Sequence, residues 1–211
     1  MSDPAARTLD LLLEPYLAAI HQFDVMAAEK SLHNAATFLD PRTFALDFAL
    51  VALREIGDGR HGGSVRMAQE RIVVSQIRSA LLSPRWNPQT HLGRRLLVAT
   101  SPRQLHEIGL LAGALLAKLR GMTVIYLGVD LPEEEIAWAA REAEVDAVLM
   151  AALHEHPPPR LEVFDGAPYA VWFGGPGAPR GAPENVISMT SFDALDQALL
   201  ALTPRRCPHS V

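Results

Sequence analysis

Chemistry in this chain concentrates in a few side chains. His106 stands two residues after Gln104 and three before Gly109, in the stretch Gln104-Leu105-His106-Glu107-Ile108-Gly109. An imidazole at the start of a helix is a cap, a surface group or a metal ligand, because a neutral ring nitrogen binds metals readily. Arg60, His61 and Arg71 form a second, basic set beside Glu70. Guanidinium groups pair with carboxylates in a forked geometry. This set could therefore hold the propionates of a haem or a linear bilin, or stand in solvent. His154 and His156 flank Glu155, as a metal site or as loop surface. Gly57-Asp58-Gly59-Arg60-His61-Gly62-Gly63 has the composition of a phosphate loop but lacks its Gly-Lys-Ser/Thr ending, which excludes that reading. No nucleophile–base pair, carboxylate dyad or phosphate-transfer motif is found. Any chemistry would belong to a bound cofactor, with the protein supplying position and electrostatics.

The elements that must position His106 run from Leu96 to Leu153. Leu96–Thr100 is a short apolar run, followed by the polar turn Ser101–Gln104. Leu105, Ile108, Leu111, Leu115 and Leu119 recur at helical spacing and predict a helix over Leu105–Arg120, which Gly121 stops. Met122–Leu127 reads as a second strand. Leu131-Pro132-Glu133-Glu134 opens a second helix, with proline and acids where a helix start favours them. Val145–Leu153 is the third strand. This alternation predicts a parallel sheet with right-handed crossovers. Ligands bind beyond the C-terminal ends of strands in such sheets. The loop Ser101–Leu105, with His106 just inside the helix, lies there. The Pro-rich stretch from His154 to Pro168 leaves room for about one helical turn. Asn185–Ser191 and Phe192–Leu202 supply a last strand and helix.

Ahead of this half the pattern is helical only. Leu9, Leu12, Leu13, Tyr16, Leu17 and Ile20 form one stripe, and Asp24–Leu39 a second helix. Asp40-Pro41 starts a third over Thr43–Ile56, with Phe44, Phe48, Val51 and Leu53 as core. Gly57–Gly63 is a break, and a fourth helix spans Ser64–Leu82 with Val73, Ile77, Ala80 and Leu81 inward. Four helices with short connections predict an antiparallel bundle. The expected organisation is a bundle over 1–83, a linker over 84–94, a Rossmann- or flavodoxin-like α/β unit with helices on both faces over 95–203, and a tail over 204–211.

The 211 residues carry a net charge of −5 and a single cysteine, Cys207. The charge argues against a broad nucleic-acid footprint. One cysteine excludes an internal disulfide framework and a cysteine-based zinc cluster. No apolar run approaches the ~20 residues of a membrane span. The expected location is cytoplasmic.

Gln104–Gly109 resembles the D-x-H-x-x-G signature of cobalamin-binding Rossmann-like domains, in which the histidine is the lower axial ligand of cobalt. Gly121–Pro132 resembles the same family's second strand and helix, and the nearest likeness is to the bundle-plus-cobalamin region of MerR-type light-responsive regulators. The resemblance implies cobalamin, as adenosylcobalamin or hydroxocobalamin, held between bundle and Rossmann-like unit. His106 would be the metal ligand. Gln104, Leu105, Glu107, Gly109, Tyr126, Gly128, Ala151, Leu153, Gly174 and Gly175 would line the lower side. On the upper side the family carries a Trp, nine residues, then Glu-His. Here Arg60 takes the Trp position, Glu70 matches the Glu and Arg71 replaces the His. Gln104 replaces an aspartate, and Ala151 a serine that contacts the nucleotide base. These changes move weight toward haem or biliverdin as alternative cofactors. The implied function is a tetrapyrrole-binding sensor. No helix-turn-helix precedes the bundle, so output is expected through a partner protein or self-association, without direct DNA binding. A corrinoid methyl-carrier and a cofactor-free interaction module are the competing readings.

Overall fold

The computed structural model describes residues 4–87, 93–151, 159–175 and 183–202. Leu153, the His154–His156 cluster and Cys207 lie outside them. The chain divides into two compact units, Met1–Trp86 and Asn87–Val211.

The first unit is helical. Helices α1 (Pro4–His21) and α2 (Val25–Phe38) pack on each other. α3 (Pro41–Thr43), a π-helical segment (Phe44–Ala49) and α4 (Leu50–His61) follow as one continuous helical path, then α5 (Met67–Leu81). Asp40 starts the third path by accepting the backbone N–H groups of Arg42 and Thr43 at 3.1 Å each, which satisfies donors that a helix start leaves open. The predicted break at Gly57 does not occur. Gly57 and Gly59 sit inside α4, which ends only at His61. A Cβ on Gly59 would stand 2.6 Å from Val65 Cγ2. The glycine therefore serves close packing of the returning chain here, and helix propensity yields to it. The core is aromatic: Phe44 stacks on Phe48 at 5.7 Å, and Tyr16 meets Phe48 at 5.5 Å. Burial pushes the Tyr16 phenol well above its ordinary value, and its O–H donates to Gln76 Oε1 at 3.0 Å. Trp86, read in the sequence as linker, is buried against Phe44 and donates its indole N–H to Ala80 O.

The second unit is a five-stranded parallel sheet ordered β2-β1-β3-β4-β5. The strands are β1 (Arg95–Thr100), β2 (Thr123–Gly128), β3 (Ala147–Ala151), β4 (Ala170–Gly174) and β5 (Val186–Met189). This is the flavodoxin-like strand order, and with the helical first unit it bears out the predicted fold class. Helices α6 (Ile108–Leu119) and α8 (Phe192–Ala201) cover one face, packing on Leu96, Val98, Leu149 and Trp172. Helix α7 (Glu133–Glu142) and a 3-10 turn (Leu161–Phe164) cover the other, on Leu97, Ala99, Val148 and Phe173. The alternation of side-chain direction along a strand assigns these residues to opposite faces. Gly121 (φ 74°) closes α6, with Met122 N–H bonded to Ala117 O as in a Schellman cap. Between β3 and β4 the described residues hold only the 3-10 turn, and the Pro-rich part of this stretch lies outside them.

Gly113 lets α6 lie close to the sheet: a Cβ there would meet Leu149 Cδ2 and Leu195 Cδ2 at 2.9 Å. Arg94 is buried, and its Nη1 donates to Leu199 O at 3.0 Å and Leu202 O at 2.8 Å. Arg120 forms a forked pair with Asp196, Nε to Oδ1 at 2.9 Å and Nη2 to Oδ2 at 2.6 Å. The hydrogen bond to Asp196 holds the guanidinium above its ordinary range.

Candidate functional site

All five strands point the same way, so their C-terminal ends form one edge. The sheet gathers there most of the residues singled out in the sequence. Gln104, Leu105, His106 and Glu107 lie in the loop after β1, Tyr126 and Gly128 end β2, Ala151 ends β3, and Gly174 and Gly175 end β4. The ladder register sets Val98 beside Tyr126, Ala99 beside Gly128, Thr100 beside Ala151 and Ala151 beside Gly174.

The helix expected from Leu105 begins only at Ile108, with Glu107 as its N-cap residue, so His106 precedes it. The apolar spacing continues back to Leu105, but the loop has hydrogen bonds of its own that compete with helix. Gln104 N–H donates to Ser101 O at 3.1 Å. The Gln104 side-chain oxygen accepts His106 N–H and lies 3.2 Å from both that nitrogen and His106 Nδ1. An amide oxygen only accepts, so Nδ1 is the donor in this contact, which in the neutral ring is the Nδ1–H tautomer. Gln104 thus orients the His106 ring through a neutral acceptor.

The loop presents His106 to solvent and leaves Leu105 beside it 64% exposed. Gly109 and Gly128 have open space where a Cβ would project, and Gly128 has φ 98°. Behind this surface, Ser101 Oγ, Gln104 Nε2 and Tyr126 Oη are buried with no hydrogen-bond partner among the described residues. Such groups cost about 1–3 kcal/mol each when left unpaired. They make this edge suited to a ligand that brings polar atoms of its own. Among the described residues no three His, Cys, Asp or Glu side chains come together around a bare ion. A metal held in a macrocycle needs only one or two axial donors from the protein. The residues fit such a group: one exposed, oriented imidazole, an apolar neighbour, glycines that admit close approach, and buried polar groups awaiting partners.

The three bundle residues are placed within the first unit. Arg60 lies on the last turn of α4 and Glu70 on the first turn of α5, and they form an ion pair of 2.9 Å. Arg71 follows on α5 and is exposed. His61 Nδ1 lies 2.8 Å from Gly57 O. Gln69 anchors this end of the helix: its carbonyl oxygen accepts Arg66 N–H, and its amide nitrogen donates to Ile20 O and His21 O. The sequence reading did not anticipate Ser101, or the bond that joins Thr100 to Asp130 across two loops. Their signal, a polar residue at or directly after the end of an apolar strand, is too common to be diagnostic. No helix among the described residues is long and apolar enough to cross a membrane.

No protein-family model matches the chain. It is similar to two HTH-type transcriptional repressors of Myxococcus xanthus. CarH is 27% identical over 135 residues, which covers 64% of this chain and 45% of the relative. CarA is 28% identical over 181 residues, covering 79% and 59%. The chain spans about half the length of these curated relatives. Among solved structures, the Methanosarcina barkeri monomethylamine corrinoid protein is similar with a TM-score of 0.67 at 16% identity. The match covers 90% of this chain and 98% of that one, and at this identity it shows the fold.

Proposed function

We propose that this chain, whose likeness to the cobalamin-binding domain family the comparisons bear out, is a corrinoid-binding regulatory protein. Cobalamin would sit at the C-terminal edge of the parallel sheet with His106 as its lower axial ligand. The observation that carries this reading is the exposed imidazole whose Nδ1 is engaged by Gln104, at the edge where such sheets bind ligands. Leu105, Glu107, Gly109, Tyr126, Gly128, Ala151, Gly174 and Gly175 would line the seat, with Ser101 and Tyr126 offering hydroxyls. When bound, cobalamin supplies a cobalt–carbon bond that light or a nucleophile can break. The chain's part is to hold Nε2 toward the metal. Because Gln104 is neutral, it makes that nitrogen a weaker donor than a carboxylate partner would. The Arg60–Glu70 pair favours cobalamin over haem, since Arg60 already has a carboxylate and would have to exchange it for a propionate. A regulatory role is supported by the similarity to the two repressors. Output through a protein partner or self-association, and sensitivity to light, belong to the same proposal.

A second reading, a corrinoid protein that carries a methyl group, is favoured by the fold likeness to the monomethylamine corrinoid protein. It would use the same lower face. Dialysis of the purified chain against adenosylcobalamin, hydroxocobalamin, haemin and biliverdin, followed by absorption spectra in darkness and after illumination, tests both. Retention of cobalamin with a light-dependent change in spectrum and oligomeric state is expected. Light-insensitive retention, with methylcobalamin losing its methyl group to an added methyltransferase, would replace the regulator by the carrier. Retention of haemin or biliverdin alone, or of nothing, would overturn the proposal.

A further inference from the structure

Two of the left-handed non-glycine residues lie in the loops at this edge: Arg103 at φ 65°, after β1, and Asp130 at φ 62°, after β2. Such a conformation is unfavourable for a residue with a Cβ and persists where the surroundings over-determine it. The surroundings here are a closed set of hydrogen bonds. Arg103 N–H donates to Asp130 Oδ1 at 2.7 Å. Asp130 N–H donates to Thr100 Oγ1 at 2.9 Å, and Leu131 N–H to Thr100 O at 3.1 Å. The Thr100 hydroxyl spends its single proton on Gln104 O. Thr100 is 0% and Gln104 2% exposed, so water does not compete for the Thr100–Gln104 bond, while the Arg103–Asp130 bond that completes the set lies at the surface. The β1–β2 register shifts between Val98 and Ala99, leaving Leu127 as an extra residue just before the second loop. Such irregularities bend the strand and re-aim the loop beyond it.

We infer that Asp130 and Thr100 are positioning residues for His106. They hold the backbone of Gln104 in place, and Gln104 in turn fixes the imidazole with its proton on Nδ1. Asp130 therefore acts on the histidine from another loop without touching it. The significance for a bound metal rests on the reading of His106 as the axial ligand, but the test reads the imidazole in the cofactor-free protein, so the two can fail separately.

The test uses long-range proton–nitrogen correlation spectra of the 15N-histidine-labelled full chain without cofactor. The His106→Ala spectrum identifies the signal, and amide spectra confirm the fold. In the unaltered protein His106 should show a protonated Nδ1. In Asp130→Ala and Thr100→Val the Nδ1 signal should move toward the unprotonated range, as the ring relaxes to the Nε2–H form that an unconstrained histidine side chain favours. Asp130→Asn should restore the original signal, because its amide oxygen can accept Arg103 N–H. With cobalamin present, Asp130→Ala should bind roughly 10–100-fold more weakly. If Asp130→Ala does not fold, Thr100→Val, which keeps shape and removes only the hydroxyl, decides alone. An Nδ1 signal unchanged in the folded variants, or a His106 protonated on Nε2 in the unaltered chain, would overturn the inference. A shifted signal in a protein that binds no corrinoid would uphold it while sinking the proposed function.

Discussion

Arg94→Met should destabilise the second unit by about 3 kcal/mol. The side chain is 6% exposed and stands between the ends of two helices. Its Nη1 serves Leu199 O and Leu202 O at the end of α8, and its Nη2 lies 3.5 Å from Arg120 O at the end of α6. Helix C-termini leave carbonyls without partners and favour a cation nearby. A hydrogen bond from a charged donor contributes about 1.5–3 kcal/mol. The contact with Arg120 is too long to add much. Methionine keeps most of the stem's packing and removes every donor. The two Nη1 bonds then set an upper figure of about 6 kcal/mol. The carbonyl of half-exposed Leu202 can turn to water in the variant, and desolvation of the guanidinium is no longer incurred. Both bring the figure to about 3 kcal/mol, or a fall in Tm of roughly 10 °C. Urea unfolding followed by circular dichroism measures the loss, and amide exchange should quicken first in α8. Arg94→Lys should recover only part of it, because an ammonium cannot reach as a fork. A loss below about 1 kcal/mol in Arg94→Met would refute the reasoning that these helix ends depend on one guanidinium.

Gly113→Val should cost about 2–3 kcal/mol by chemical denaturation, since its first added carbon alone would sit 2.9 Å from two leucine methyls and α6 would have to lift from the sheet. Asp40→Ala should cost about 1 kcal/mol through loss of the cap. Burial pushes the Asp40 carboxyl up, but hydrogen bonds from the Thr43 side chain and from the backbone of Thr43 and Arg42 outweigh it and leave it below the ordinary range. The carboxylate's contribution is therefore whole above the unfolded value of about 3.9 and is lost as pH falls through the lower folded value. Denaturation of the two proteins at neutral and acid pH should show the difference shrinking only in acid. Gln104→Leu should weaken hydroxocobalamin binding by roughly 10–100-fold in a spectral titration, whereas Gln104→Asp should strengthen the axial bond.

The strands and most helices were legible because their apolar spacing and their stops agree: Gly121 does close α6, and Pro132 does precede α7. The helix running through Gly57 and Gly59 was not, because those glycines answer to the packing of Val65, a contact that exists only once the chain has turned back on itself. Arg94 and Trp86 read as linker because a guanidinium and an indole betray nothing of the carbonyls they meet until the helix ends are brought to them. At the site, the Gln104–His106 pairing could be read from two-residue spacing and a known motif. The Thr100–Asp130 support could not, because its partners lie thirty residues apart and are joined only when β1 and β2 pair.

The central claim is that His106 binds the metal of a corrinoid. Electron paramagnetic resonance of the protein loaded with cob(II)alamin, prepared with natural and with 15N-labelled histidine, tests it most directly. The unpaired electron lies along the axial bond and reports the ligating nitrogen's nuclear spin. The account predicts a nitrogen triplet that becomes a doublet on labelling and disappears in His106→Ala. A splitting indifferent to the label would mean that the cofactor's own base holds the cobalt, and would contradict the account.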